Sequence, residues 1–69
     1  MSDKEEILKL KDGERYIVPE SDYGKAEIWF KNDRYFLFEI PMYGGTPIFV
    51  KAYSVQWIDQ MINDYNAWT

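Results

Sequence analysis

The sequence predicts an α+β domain: an antiparallel meander of about five strands packed on one C-terminal amphipathic helix. Three observations carry that expectation. Residues 25–53 read KAEIWFKNDRYFLFEIPMYGGTPIFVKAY, where strand-forming residues alternate in character and are broken twice by turn formers. From Ser54 the period changes, and Trp57, Ile58, Met61, Ile62, Tyr65 and Trp68 fall on one helical stripe, with Gln56, Asp59, Gln60, Asn63 and Asp64 opposite. Finally, 69 residues suffice for one domain, 1–69, and no repeat, low-complexity segment or linker divides them.

Taken in order, residues 1–6 are polar and charged and read as a frayed end. Residues 7–11 alternate as I-L-K-L-K, a short strand, and Asp12-Gly13 is a turn signal leading to a return strand at Arg15–Val18. Pro19 has no N–H to give to a ladder and closes that strand; residues 20–24 are turn formers. Ser54 is placed as the N-cap of the final helix.

Within the meander the even positions Ala26, Ile28, Phe30, Phe36, Phe38, Ile40, Met42, Ile48, Val50 and Ala52 are all apolar. Successive strand residues point to opposite faces, so this set is expected to form the core face under the helix. The odd set, including Glu27, Trp29, Tyr35, Leu37, Phe49, Lys51 and Tyr53, is mixed and is expected outside. That parity requires an odd loop, Asn32-Asp33-Arg34, with Lys31 opposite Tyr35. It also pairs Met42 with Ile48 around a five-residue loop and sets Glu39 opposite Lys51. A two-residue Asn32-Asp33 turn would instead set Phe30 opposite Tyr35 and Ile28 opposite Leu37, placing Phe36 and Phe38 on the face of Trp29 and Glu27.

Composition narrows the chemistry. There is no Cys, so neither disulfides nor thiolate metal sites can support a small core; the stabilising material is aromatic, 19% of the chain. Net charge is −4, distributed as −3 over residues 1–24, +1 over 25–53 and −2 over 54–69, which argues against non-specific DNA binding. The start MSDKEE has no positive segment leading into an apolar one, and no apolar run reaches about 18 residues, so a cytoplasmic chain with no membrane span is expected.

With no His, the commonest general base, the Ser–His and Cys–His systems and most zinc sites are missing. Glu27 and Glu39, both expected outside, are the best carboxylate pair, and read as solvated partners of Lys31 or Lys51 rather than as acid and base. Asp12/Glu14 and Glu20/Asp22 read as turn acids rather than cation ligands. Gly44-Gly45 lacks the spacing of a phosphate loop. The expectation is therefore a non-enzymatic chain with no catalytic residue, no metal and no cofactor.

The outer face supplies the functional expectation. Trp29, Tyr35, Leu37, Phe49, Lys51 and Tyr53 are assigned to it as partner-binding residues, because a large exposed apolar patch marks an interaction site. Three readings stand side by side: the first hairpin folds over this face, a protein partner or a second copy docks there as a homodimer, or the aromatics with Lys25, Lys31 and Lys51 form a platform for single-stranded nucleic acid. A further reading is a small acidic inhibitor that mimics nucleic acid with Asp3, Glu5, Glu6, Asp12, Glu14, Glu20 and Asp22. The preferred expectation is a small acidic protein-interaction module.

Overall fold

The computed structural model describes residues 2–19 and 24–68. Along the chain it contains α1 (Asp3–Leu8), β1 (Arg15–Val18), β2 (Ala26–Lys31), β3 (Arg34–Glu39), β4 (Ile48–Ser54), one turn of 3₁₀ helix (Val55–Trp57) and α2 (Ile58–Asn66). The strands form a single antiparallel sheet in the order β1-β2-β3-β4. The α+β meander with a C-terminal helix is thus present, with four strands rather than five.

The missing strand is the first. Residues expected to fray, and the start of the expected strand at 7–11, instead form α1. Ser2 has extended backbone angles and its side chain accepts from the Glu5 N–H at 3.3 Å, which satisfies one of the free donors of the first turn. Asp3, Glu5 and Glu6 lie in that turn, where the helix dipole favours negative charge. A six-residue helix is not stable alone, and Ile7, fully buried against the sheet, anchors this one.

The expected parity fails at the first meander turn. Asn32 and Asp33 both have positive φ, 51° and 63°, the signature of a two-residue type I′ turn, which matches the right-handed twist of its strands. Lys31 therefore pairs with Arg34, Phe30 with Tyr35 and Ile28 with Leu37. In β2 the even residues still face the helices, so Ala26 and Ile28 are fully buried. In β3 the faces are exchanged: Tyr35 and Leu37 are buried in the core, while Phe36 and Phe38 lie with Trp29 and Glu27.

A second irregularity acts on β4. Leu37 pairs with Lys51 but Phe38 pairs with Phe49, so Val50 is an extra residue, a β-bulge. Below the bulge Tyr53 faces the helices. Above it the faces switch, and Phe49 joins Phe36 and Phe38. Glu39 is consequently opposite Ile48, not Lys51, and Met42 and Ile48 are not partners. Pro41 lies beyond the end of β3, and the turn formers at 20–23 lie outside the described residues.

Both helices pack on the same side of the sheet. Ile7 of α1 and Ile58, Met61 and Tyr65 of α2 form one cluster with Val18, Ala26, Ile28, Tyr35, Leu37 and Tyr53. Full burial of an aliphatic side chain such as Ile28 or Leu37 contributes about 1.5–3 kcal/mol, so a handful of these residues dominates stability. The α2 stripe is as expected except at its start: Ser54 makes no side-chain capping bond, and Trp57 sits in the 3₁₀ turn, 54% exposed.

Candidate functional site

The sheet has two faces, and no described helix or strand covers the second. Strand alternation and the β4 bulge gather Trp29 from β2, Phe36 and Phe38 from β3, and Phe49 from β4 on that face. The rings touch: Phe38 and Phe49 are edge-on with centroids 5.5 Å apart, and Phe36 and Phe49 are tilted at 6.5 Å. Aromatic pairs in such arrangements attract beyond simple area burial, so these rings stabilise one another as a layer. Trp29, Phe36 and Phe38 are half-buried within it, and Phe49 is 53% exposed at its edge.

Glu27 holds the charged centre of this layer. It is buried, and each carboxylate oxygen accepts one hydrogen bond: Arg15 Nη1 donates to Oε1 at 3.0 Å, and Trp29 Nε1 donates to Oε2 at 2.6 Å. The Arg15 guanidinium also lies over the Trp29 ring, 5.7 Å from its centroid. Burying an unpaired carboxylate here would be costly, and the Arg15–Glu27–Trp29 arrangement removes that cost while fixing the indole in one orientation.

The six residues assigned to this surface therefore divide. Trp29 and Phe49 lie on it. Tyr35, Leu37 and Tyr53 do not: they are core residues beneath the helices, because the type I′ turn reverses the faces of β3 and of the lower half of β4. Lys51 is opposite Leu37 on the helix side of the β4 edge, with Nζ 5.2 Å from the centroid of the Tyr53 ring. There it lines an open groove of about 540 Å³ with Arg34, Tyr53, Trp57, Gln60 and Asp64. Phe36 and Phe38, read as core, are the aromatic centre of the exposed face; the Asn-Asp pair flanked by strand formers is the sequence signal that identifies them.

The acidic residues serve the other side of the molecule. Asp3 accepts from Tyr16 Oη at 2.8 Å and from Tyr65 Oη at 2.9 Å, tying α1 to β1 and α2. Asp64 accepts from Tyr53 Oη at 2.5 Å and from the Gln60 side-chain amide at 2.8 Å. Burial and the Asp3 bond push the Tyr16 phenol up to about 12; burial and the Asp64 bond raise Tyr53 as well. The bonds from Tyr53 and Gln60 hold the Asp64 carboxyl below the ordinary carboxylate range. Asp59 pairs with Lys4, Glu6 with Lys9, and Asp12 and Glu14 accept backbone N–H groups of Asn32 and Lys11.

Glu27 and Glu39, the candidate acid–base pair, point to opposite faces, since Glu27 pairs with Phe38 and Glu39 with Ala26. Among the described residues no group of three or more His, Cys, Asp or Glu is placed to hold a metal ion, and no helix is long and apolar enough to cross a membrane. Comparison of the chain with protein-family models, with curated proteins and with solved structures returns no match, so its function is argued from this geometry.

Proposed function

We propose that this chain is a non-enzymatic protein-interaction module that captures a protein through the outer face of its sheet. The observation that carries the reading is the layer of Trp29, Phe36, Phe38 and Phe49, which no described helix or strand covers. A solvated face of an antiparallel sheet normally carries polar residues; a contiguous aromatic face marks an interface. Tyr, Trp and Phe concentrate at interface centres because each removes a large apolar area from water at little conformational cost. The Arg15–Glu27–Trp29 contacts preorganise the face, lowering the entropy lost on docking. A cytoplasmic setting is part of this reading and is checked by fractionation.

Affinity capture from the native cell tests it with three forms of the tagged chain. Wild type and Trp57→Gln, altered only on the helix side, are expected to retain the same proteins, and Phe49→Glu to lose them. Equal retention by Phe49→Glu, with unchanged circular dichroism, refutes the reading.

A single-stranded nucleic-acid platform is a second reading, favoured by the guanidinium of Arg15 over Trp29 and by Lys31 and Arg34 directly opposite one another at one end of the sheet. Against it, Arg15 is committed to Glu27, whose carboxylate lies within the aromatic layer. Binding of an oligonucleotide that quenches Trp fluorescence and weakens steeply with salt supports it; no quenching at low salt removes it. The acidic-mimic reading is weakened because Asp3, Glu6, Asp12 and Glu14 of its proposed surface are already engaged in internal bonds.

A further inference from the structure

Resting on the outer face as the docking surface, we propose that its occupant is a second copy of this chain, sheet packed on sheet as a symmetric dimer. Three independent features favour a second copy.

The first is stability. Across 69 residues with no Cys, the described residues show no metal-holding group and one core cluster, between helices and sheet. Below about 70–80 residues one hydrophobic core rarely supplies more than about 3–5 kcal/mol, and oligomerisation is a general remedy where disulfides are absent. Pairing at the outer face would convert the exposed aromatic layer into a second core.

The second is charge. A chain of net charge −4 repels its own copies unless the contact lies away from the acidic groups. Both helices, with Asp3, Glu5, Glu6, Asp59 and Asp64, lie on the opposite side of the sheet. In a face-to-face pair the two helix layers stand roughly 30 Å apart across two sheets, several times the Debye length of about 8 Å at physiological ionic strength. On the face itself Glu27 is already neutralised by Arg15. Lys31 and Arg34 sit at one end, which a two-fold axis can place away from its copy.

The third is that the edges are guarded while the face is not. The β4 edge carries the Val50 bulge and Lys51, two devices that resist strand addition, and β1 is four residues long and followed by Pro19. Pairing by edge extension is therefore disfavoured.

Area sets the strength. Four strands about 4.8 Å apart and six residues long at about 3.3 Å per residue give the sheet a plan area of roughly 400 Å². A standard interface buries about 800 Å² per partner. Met42 and Tyr43, 73% and 85% exposed, lie in the loop that follows β3. At about half the standard area per partner, the pair is weak and reversible.

Sedimentation equilibrium from about 1 µM to about 500 µM tests this range, as expected for a small interface. Wild type and Trp57→Gln should rise toward twice the monomer mass, with a melting temperature that increases with concentration. Phe49→Glu and Ala52→Glu, which place a charge on the face from its edge and beside Phe36, should remain monomeric with unchanged circular dichroism in dilute solution. Ala52→Glu keeps the aromatic layer intact, so it decides the matter if Phe49→Glu fails to fold. A wild type that stays monomeric throughout overturns the proposal, as does a dimer that survives both face variants. A monomeric wild type that still loses captured proteins on Phe49→Glu sinks the second copy alone and leaves the docking face standing.

Discussion

The assignment of faces is most sharply tested by Leu37→Ala set beside Phe49→Ala. Leu37 is fully buried between Ile28 across the hairpin and the residues of α2, whereas Phe49 is 53% exposed. Removing a buried Leu to Ala costs the lost transfer energy plus a cavity, about 3 kcal/mol in a site held on several sides. A chain this short has roughly 3–5 kcal/mol of stability from its one core, so the substitution removes more than half of it. Domains of this size shift by about 4–8 °C per kcal/mol, which predicts a fall in Tm of roughly 12–24 °C. Phe49→Ala removes a ring that is half in water already, and should cost about 1 kcal/mol or less. Urea denaturation followed by circular dichroism, with dilute protein so that self-pairing does not contribute, measures both. A larger loss for Phe49→Ala than for Leu37→Ala would mean that Phe49 faces the helices and Leu37 the open side.

Three further outcomes follow from the same contacts. Asp33→Gly, which puts glycine at the second positive-φ position of the type I′ turn, should stabilise the fold by about 0.5 kcal/mol, read as a rise in urea midpoint; a loss of stability would argue against that turn. Because the Tyr16, Tyr35 and Tyr53 phenols are raised above their usual value of 10.0, the folded state favours their neutral forms. That stability is intact below 10.0 and is lost as the pH climbs toward 12 and above. Unfolding and tyrosinate absorbance should therefore rise together, and tyrosinate formation complete near 10.0 with the fold intact would contradict the buried bonds. Asp64 shifts the other way: its lowered value contributes stability above the ordinary carboxylate range, lost as the pH falls through its folded value. Asp64→Asn should accordingly flatten the acid side of the stability profile relative to wild type.

Much of this fold is legible from local pattern. The 3.6-residue stripe in residues 58–66 and the buried alternation of Ala26 and Ile28 are where the pattern puts them, because each is set by residues close in sequence. Two local signals carry more than alternation does. Ser2-Asp3-Lys4-Glu5 has the spacing of an N-terminal cap and marks α1, where the I-L-K-L-K alternation points to a strand. Asn32-Asp33 marks a type I′ turn, where the uniformly apolar even set points to a three-residue loop.

The α+β class, the C-terminal helix and the aromatic character of whichever sheet face is left open are all written in local pattern, since periodicity, turn formers and composition act over a few residues. Which aromatics lie on that face depends on how the strands pair in three dimensions. In β3 the even positions hold Phe36 and Phe38 beside Arg34 and the odd ones Tyr35 and Leu37 beside Glu39, hence either register buries a hydrophobic pair. The choice rested on long-range terms: whether Glu27 could find Arg15 and Trp29, whether Tyr53 could reach Asp64 and whether β4 could bulge at Val50 to return Phe49 to its neighbours.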